Sequence, residues 1–507
     1  MRFNSLAVDT SKTTNHENGE AYNLSPEMEL YKIVCTSILQ NQFYTSVNDT
    51  LKNIRKLIKQ CDPNYVAKLA VYAREEMHLR TIPLVLTVEL AKVHNGDNLI
   101  SRLTYRVIQR ADEITELLSY YQLSNNRLGE KKLNKLSKQL SKGIAKSFNK
   151  FDEYHFGKYN KNTEIRFRDA LFLSHASPET PEQKELFEKI INDKLETPYT
   201  WETQLSESGK NGRSKKEVWE ELIDSRKMGY MATLRNLRNI LMAEVSEEHI
   251  QKVCDYISNE NAVINSKQLP FRFLSAYKTL SNFDMERYCW GAVQESKPVP
   301  QMYLPLVFDA LEKAVVISGK NISIPENDKV MIAADVSGSM WHPISPRSSI
   351  FLYDIGTMLS MLINHNVKYS LTGIFGSTFE LFQFPKSNIL ENAIKTLGIQ
   401  GKVGYATNGH KIIEYLNDND VSLDKIMVFT DCELYGGSIR KEWETYKRSN
   451  PNCKLYLFNL SGYNTIPFSE KSNDVYLISG WNEKIFDMLN NLENGGTVVQ
   501  SIKSIEL

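Results

Sequence analysis

Oxygen-bearing side chains cluster in the motif Asp335-Val336-Ser337-Gly338-Ser339, which directly follows the apolar run 330–334. A second pair, Thr430-Asp431, directly follows the apolar run 426–429. If both runs are strands of a parallel sheet, their carboxyl ends meet at one edge, where such folds bind ligands. Carboxylates and hydroxyls form an all-oxygen set that suits Mg²⁺, with Mn²⁺ as the alternative. The sequence therefore predicts a divalent-metal site.

The same residues have three other interpretations. Asp335 and Ser337 can merely cap the turn that follows the strand. A phosphatase with an aspartate nucleophile needs a second aspartate at position 337, which is Ser here. A serine nucleophile needs a paired base, and His342 and His410 lie near in sequence, but no G-x-S-x-G elbow is present. We therefore expect a protein without catalytic activity.

The elements that must position these residues form two patterns. From about residue 26 to 316, apolar residues recur at three- and four-residue spacing with short polar breaks, which predicts successive helices stacked as an α-solenoid. After about residue 328, strands alternate with helical patterns such as 349–364, which predicts a mostly parallel sheet covered on both faces. The predicted strands are Val330–Ala334, Tyr369–Phe375, Phe379–Phe384, Ile426–Phe429, Lys454–Phe458 and Val475–Ile478.

Bulk composition limits the class of protein. The chain has 507 residues, of which 41% are hydrophobic and 24% charged, so we expect a globular protein of more than one domain. Its formal net charge is zero, so any nucleic-acid binding must use a local basic patch. Six scattered cysteines without a C-x-x-C pair indicate buried free thiols. Without a signal peptide or an apolar run of about 20 residues, we expect a cytoplasmic protein that makes no membrane contact.

Lysines recur along one predicted helix between Lys131 and Lys150. At 100° per residue they share one face, while leucines, an isoleucine and a phenylalanine cover the other. Such a face can bind phosphates without base specificity, or it can be a solvated charged surface. The lysines are Lys131, Lys135, Lys138, Lys142, Lys146 and Lys150.

Basic and aromatic residues interleave in the next segment, 151–178. This mixture is typical of sites for single-stranded RNA, although aromatic residues at helical spacing are usually core. His175 lies in an apolar stretch, where the default expectation is a structural histidine with its hydrogen bonds satisfied.

Two resemblances sharpen these expectations. The motif from Asp335 to Met340 is similar to the metal-ion-dependent adhesion site of von Willebrand A domains, which also needs a middle-loop threonine and a later aspartate. Thr407 and Asp431 supply these two residues here. The resemblance implies that Ser337, Ser339 and Thr407 bind the metal directly, with Asp335 and Asp431 acting mostly through water.

The segment Lys158-Tyr159, followed by 168–178, resembles the signature of the Ro ribonucleoprotein family, whose helical TROVE domain is shared with telomerase-associated and vault proteins. Members of the family join this domain to a C-terminal von Willebrand A domain, and the order is the same here. Further matching segments are Ser214–Trp219, Thr233–Leu237 and Pro270–Lys278.

This second resemblance implies a ring of HEAT-like helical repeats that binds small noncoding Y-like RNAs and single-stranded 3′ ends of misfolded RNAs. A basic position of the family is Asn162 here, with Lys161 beside it, so this sequence departs from the family pattern at that position. Lys158 and His175 match family positions implicated in RNA contact. The candidate RNA-binding residues are Lys158, Lys161, Arg166, Arg168 and His175, with Lys135, Lys138 and Lys142 of the lysine face.

The sequence thus predicts a multidomain protein, an all-α HEAT-like helical-repeat ring followed by an α/β Rossmann-like von Willebrand A domain. The predicted divisions are a flexible arm at 1–22, a TROVE-type α-helical domain at 23–320 and the α/β domain at 328–495. We expect an RNA-binding protein of noncoding-RNA quality control, or an adaptor for an exoribonuclease or another protein held by the A domain. The alternative is a metal-dependent protein-interaction scaffold that binds no RNA.

Overall fold

The computed structural model of the protein describes residues 12–36, 46–126, 136–281, 299–320, 322, 324–325, 327–344, 348–396, 401–435, 437–463, 465–469, 472, 474–480, 485, 492 and 497–507. The chain divides into two compact units. One comprises residues 1–49 and 229–498, and the other comprises 50–228 and 499–507. Helices between residues 229 and 320 therefore belong to the same unit as the α/β sheet, whereas the sequence suggested a division near residue 320.

A six-stranded sheet organises the unit that contains the predicted metal residues. Its strand order is β5-β4-β3-β6-β7-β9, parallel except for the antiparallel edge strand β5. The predicted strands are all present, but the one expected at 379–384 ends at Leu381. The strands are β3 Lys329–Asp335, β4 Tyr369–Phe375, β5 Phe379–Leu381, β6 Lys425–Thr430, β7 Lys454–Asn459 and β9 Val475–Ser479.

Helices cover this sheet, which explains why its central strands are continuous apolar runs. In β3 every residue after Lys329 is buried, as expected for a parallel strand packed on both faces. Helix α18 (Leu352–Asn366) packs on β3 and is itself buried along almost its whole length. The unit's helices are α1 Pro26–Thr36, α13 Tyr230–Met242, α14 Glu247–Ile257, α15 Glu260–Ser266, α16 Phe271–Leu280, α17 Leu304–Ser318, α18, α19 Ile389–Lys395, α20 His410–Asp418 and α21 Ile439–Ser449, with a 3₁₀ turn at Gly338–Trp341.

The N-terminal segment corrects one prediction. We expected a flexible arm at 1–22, but strands β1 (Lys12–Thr14) and β2 (Glu20–Asn23) form an antiparallel hairpin that pairs with β8 (Thr465–Ile466). Ala21 and Tyr22 are buried. The expectation is wrong for residues 12–22 because a polar segment without periodicity can still complete a sheet through its backbone. Residues 1–11 lie outside the described part of the chain.

The second unit consists of helices in the part that the structure describes. This helical stretch, followed by the mixed sheet, confirms the predicted fold class of an all-α part and an α/β part. Within the described residues, no helix is long and apolar enough to cross a membrane. The helices are α2 Val47–Ile58, α3 Pro63–Glu75, α4 Thr81–Val93, α5 Leu99–Val107, α6 Asp112–Ser124, α7 Lys138–Phe148, α8 Glu153–Tyr159, α9 Phe167–Ser174, α10 Pro181–Ile191, α11 Trp201–Asn211, α12 Lys215–Asp224 and α22 Val498–Lys503.

Helix α7 carries the lysine face but is shorter than predicted. It begins at Lys138, because the Ser137 hydroxyl accepts a hydrogen bond from the Leu140 amide, 3.2 Å away, and so caps the helix. Lys131 and Lys135 lie outside the described residues. At the other end Lys150 follows the helix, and its ammonium donates to the carbonyls of Tyr105 and Ile108 that end α5. Burial lowers the pKa of Lys150 to about 8.

Close packing of α7 on α5 yields a stability prediction. A Cβ added at Gly143 would lie 2.4 Å from the Thr104 Cβ and 2.9 Å from the Ser101 carbonyl oxygen. We expect Gly143→Ala to lower the free energy of unfolding by about 1–3 kcal/mol, because the helices must move apart. The matched control is Gly209→Ala in α11, where no atom lies within 4 Å, and it should stabilise by about 0.5–1 kcal/mol. Urea unfolding of both variants measures the difference, and equal effects would contradict close packing.

Candidate metal site and nucleic-acid interface

Three loops converge at the carboxyl edge of the sheet and carry all five predicted metal residues. Asp335 ends β3, with Ser337 and Ser339 following it, and Asp431 directly follows β6, the neighbouring strand. The loop that bears Thr407 is joined to the first by a 2.9 Å hydrogen bond from the Gly338 amide to the Tyr405 carbonyl. The same loop is joined to the second by a 2.8 Å bond from the Tyr435 amide to the Thr407 carbonyl.

Hydrogen bonds fix the orientation of the two aspartates. Asp335 accepts from the Ser337 amide at 2.9 Å and from the Thr430 hydroxyl at 2.6 Å, which occupies both of its carboxylate oxygens. Asp431 accepts from the Glu433 amide at 3.0 Å through Oδ1. Its Oδ2 is buried and has no hydrogen-bond partner in the part of the chain that the structure describes. An unpartnered buried carboxylate oxygen is costly unless a cation or donor meets it.

The electrostatics of the site also favour a cation. Burial raises the pKa of Asp335, while burial and the neighbouring Asp335 charge raise the pKa of Asp431, which the nearby Ser339 hydroxyl lowers only in part. The hydroxyls of Ser337 and Ser339 lie 3.5 Å apart, and both residues, like Thr407, are buried. Within the described residues, no group of three or more His, Cys, Asp or Glu side chains could hold a metal. The donor set that the sequence predicted combines these hydroxyls with Asp335 and Asp431.

Two further elements support this edge of the sheet, and sequence reasoning missed both. The Thr430 hydroxyl holds Asp335 and also accepts from the Cys432 amide at 3.1 Å. The N-terminal hairpin holds the loop after Asp431, because the His16 amide donates to the buried Glu433 carboxylate at 2.8 Å. Thr430 was visible next to Asp431 in the sequence. Nothing local indicated the contact with His16, which is 417 residues away from Glu433.

His175, the first candidate RNA residue, is not the structural histidine that its apolar surroundings suggested. It ends α9 in a left-handed backbone conformation, with φ of 55°, and its side chain is exposed. The default expectation is wrong because the helix stops at Ser174, and this turns the next residue away from the core.

Lysines of α7 lie beside the end of α9. The Ser141 hydroxyl of α7 donates to the Ser174 carbonyl at 3.0 Å, and the Asn149 amide side chain donates to the Ser177 carbonyl at 3.1 Å. Lys142 and His175 are the chain neighbours of the bonded Ser141 and Ser174, and both are exposed. We define the basic surface as the exposed side chains Lys138, Lys142, Lys146 and His175.

Lys158 is exposed in the last turn of α8, beside a groove of about 380 Å³ that is lined by residues 157–161 and by residues between 195 and 203. Its ammonium lies 5.7 Å from the ring centroids of both Tyr154 and Tyr159. Lys161 is exposed on the same groove. Aromatic packing joins α8 to α9, because the Phe156 and Phe167 rings meet edge to face at 5.0 Å.

The remaining candidates differ in what they contact. Arg166 donates to the Asn162 side chain, so the position that departs from the family pattern is engaged by a predicted RNA residue. Arg168 is exposed. Phe151, Phe156 and Phe167 of the segment are core, whereas Tyr154 and Phe172 are 41% and 55% exposed. These last two are the side chains that could stack on unpaired bases, and the candidate set omitted them.

One part of the chain consists of helices that carry the basic surface. The other contains the sheet whose carboxyl edge carries Asp335, Asp431 and the three hydroxyls. This is the architecture expected of a Ro-type protein. A family model described as the TROVE domain matches residues 10–193 and 191–318, which are more than half of the chain. The chain belongs to this family, that of the Ro ribonucleoproteins. Membership places it among the RNA-binding components of ribonucleoproteins.

Individual relatives agree with this assignment. The chain is similar to telomerase protein component 1 of Rattus norvegicus, at 23% identity over 387 residues and 60% of this chain, and to that of Mus musculus, at 24% over 345 residues and 51% of this chain. It spans only 14% and 13% of those two proteins. The crystal structure of the Deinococcus radiodurans RO (RSR) protein matches with a TM-score of 0.61, covering 92% of this chain and 99% of that one, at 16% identity. At that identity the likeness shows the shared fold.

Proposed function

We propose that the protein binds small noncoding RNA of the Y-like kind, and single-stranded 3′ ends of misfolded RNA, in RNA quality control or as a ribonuclease adaptor. The basic surface on α7 and the end of α9, together with the exposed Lys158 of α8, is the observation that carries the proposal. Its lysines supply phosphate contacts without base specificity, while His175 and the exposed Phe172 can contact unpaired bases. No catalytic step is part of this function, and the protein acts by holding RNA.

The decisive variant is the double change Lys158→Gln and His175→Ala. Both side chains are exposed, so the fold should survive while affinity for a structured RNA falls about tenfold, the effect of losing about 1.4 kcal/mol. The slope of log affinity against log salt should flatten by about 0.7–0.9 for each lost phosphate contact. Lys210→Gln, at an exposed site on α11, is the control. A double variant that binds with the wild-type affinity and slope would show that this site is wrongly assigned.

A second comparison distinguishes the role of the α7 lysines from that of Lys158 and His175. We expect Lys138→Gln with Lys142→Gln to weaken binding of all RNAs about equally, because lysine ammoniums read charge alone. The Lys158 and His175 variant should discriminate between one RNA with and without a single-stranded 3′ tail, measured by competition. The bond between Ser141 and Ser174 places His175 beside the lysines, so a lysine variant that also discriminates by tail would show one continuous site.

We further propose that Ser337, Ser339 and Thr407, with Asp335 and Asp431, hold Mg²⁺, or Mn²⁺, at the carboxyl edge of the sheet. The unpartnered Asp431 Oδ2 among three buried hydroxyls is what supports this. Such a cation would supply an open coordination position for an oxygen ligand of a partner. Mg²⁺ should raise the melting temperature by mass action, and Asp335→Ala should abolish the rise. If Mg²⁺ raised the melting temperature of Asp335→Ala as much as that of the wild type, the metal site would be wrongly assigned.

A metal-dependent scaffold without RNA binding is the second candidate function, favoured by the same unpartnered carboxylate oxygen. The ratio of absorbance at 260 and 280 nm, before and after ribonuclease treatment of the purified protein, separates the two. The RNA-binding function predicts a ratio that falls on treatment. The scaffold predicts a ratio typical of protein from the start, together with an intact response to Mg²⁺.

A further inference from the structure

The turn of the N-terminal hairpin, residues 15–19, packs on the loop 433–435 at the carboxyl edge of the sheet. The Asn15 side-chain amide donates to the Leu434 carbonyl at 2.6 Å, and the side-chain oxygen of Asn15 accepts from the Gly19 amide at 2.7 Å. Asn15 and Gly19 are both buried, and a Cβ added at Gly19 would overlap the Leu434 carbonyl oxygen. This turn, which we call the hairpin tip, is therefore in close contact with the loop, although 419 residues separate Asn15 from Leu434.

A buried carboxylate of the loop also binds the hairpin tip. The Glu433 side chain is inaccessible to solvent, and its Oε2 accepts from the His16 amide at 2.8 Å and lies 3.2 Å from His16 Nδ1. Its Oε1 accepts from the hydroxyl of Thr465 at 3.4 Å, and Thr465 lies in β8, the strand that pairs with the hairpin. The His16 ring meets the buried Tyr463 ring edge to face, with the centroids 5.4 Å apart. Because a buried carboxylate is costly without donors, the tip and the loop stabilise each other.

The same loop is bonded to two of the proposed metal ligands. The Glu433 amide donates to Asp431 Oδ1 at 3.0 Å, and the Tyr435 amide donates to the Thr407 carbonyl at 2.8 Å. The other oxygen of this aspartate, Oδ2, is the buried atom that has no partner in the described part of the chain. A displacement of the loop would therefore turn the Asp431 carboxylate and shift Thr407 with it. Groups that orient the ligands of a metal commonly change its affinity by about 10–100-fold.

We propose that the hairpin tip sets the affinity of the metal site, so that the N-terminal segment and the cation are coupled through the loop 433–435. With the tip docked, the loop holds Asp431 in the orientation that leaves Oδ2 free for a cation. With the tip displaced, the loop loses this support and the site binds the cation less tightly. Coupling between two sites is reciprocal, so a bound cation must also hold the tip more firmly. The inference rests on the proposed metal site, and the tip and the metal loops belong to one compact unit.

Two variants separate the tip from the loop by different means. Gly19→Ala places a methyl group against the Leu434 carbonyl, and Asn15→Ala removes the hydrogen bond to the same carbonyl. The control is Glu20→Gln in the same hairpin, which weakens only its exposed contacts with the start of α21. Calorimetry of the whole protein with Mg²⁺, well below the melting temperature, measures the affinity. Amide hydrogen exchange of residues 12–23, followed by mass spectrometry with Mg²⁺ or with chelator, measures how firmly the hairpin is held.

If the tip sets the affinity, Gly19→Ala and Asn15→Ala each bind Mg²⁺ about tenfold or more weakly than the wild type, while Glu20→Gln stays within about twofold. Mg²⁺ should slow the exchange of residues 12–23 in the wild type but not in Asp431→Asn, a difference that a purely structural role of the hairpin would not produce. Wild-type affinity in both tip variants, or exchange of the hairpin that Mg²⁺ leaves unchanged in the wild type, overturns the coupling and leaves the metal site intact. A wild type that binds no Mg²⁺ overturns both the coupling and the proposed metal site.

Discussion

Replacing Lys278 by Met is expected to lower the free energy of unfolding by about 3–5 kcal/mol, since it leaves a carboxylate buried without its cation. The Lys278 ammonium lies 2.7 Å from Asp354 Oδ2 and donates to the Ser349 carbonyl at 3.1 Å. Both side chains are essentially inaccessible to solvent. Asp354 also accepts from the Phe351 amide at 2.9 Å, while its Oδ1 has no partner within the described residues.

The matched variant joins Lys278→Met with Asp354→Asn. The amide oxygen of Asn can still accept from Phe351, and no charge remains buried, so the double variant should be clearly more stable than Lys278→Met alone. Burial raises the pKa of Asp354, and Lys278 offsets this, so the cost of Lys278→Met should shrink as the pH falls. Urea unfolding of the three proteins at two pH values measures these effects. Equal losses in the single and double variants would rule out the ion pair as the cause.

This pair also explains part of the segment 270–278 that resembles the Ro family. Lys278 ends that segment on α16, and Asp354 lies in the first turn of α18, which packs on the central strand β3. Lys278 therefore joins the helices that precede the sheet to the sheet itself, within one compact unit. A basic residue in this segment has a structural role, so not every basic family position is available to RNA.

Without metal, the protein should lose stability as the pH rises from about 4 to 8, because the folded state holds the protons of Asp335 and Asp431 more tightly than the unfolded state does. Burial raises the pKa of Asp335 to about 6, and burial with the Asp335 charge raises that of Asp431 to about 8. In the unfolded chain both carboxyl groups have a pKa near 4. Between pH 4 and the raised pKa of each group, the folded state therefore binds more protons than the unfolded state. Stability is therefore greatest below about pH 4 for these two groups and falls as they ionise.

Asp431→Asn should remove most of the dependence of the free energy of unfolding on pH, because the amide does not ionise and so places no charge in the buried site at high pH. It should also remove the response to Mg²⁺, which in wild type restores stability at pH 8 by pairing with the ionised carboxylates. Urea unfolding at four pH values, with chelator or with Mg²⁺, measures both effects. The exposed Asp418→Asn is the control. A variant at Asp431 that kept the wild-type slope would show that the buried carboxylates do not set it.

Local patterns of the sequence were enough to determine much of the α/β part. Strands β3 and β6 are apolar runs whose ends carry Asp335 and Asp431, because a buried parallel strand must be apolar and its ligand residues must follow it. Thr407 required the family pattern, since its loop joins the site through backbone bonds to Gly338 and Tyr435, which the sequence does not show. The succession of helices before the sheet was equally visible in the three- and four-residue periodicity.

Only the tertiary structure decided which candidate side chains are available to a ligand. Lys150 belongs to the lysine pattern in sequence, yet it binds carbonyls at the end of α5. His175 lies in an apolar stretch, yet the end of α9 exposes it. The hairpin at 12–23 and the pairing of Lys278 with Asp354 join residues that are distant along the chain. Periodicity reports which face of an element is apolar, whereas helix ends and long-range partners depend on how the elements pack.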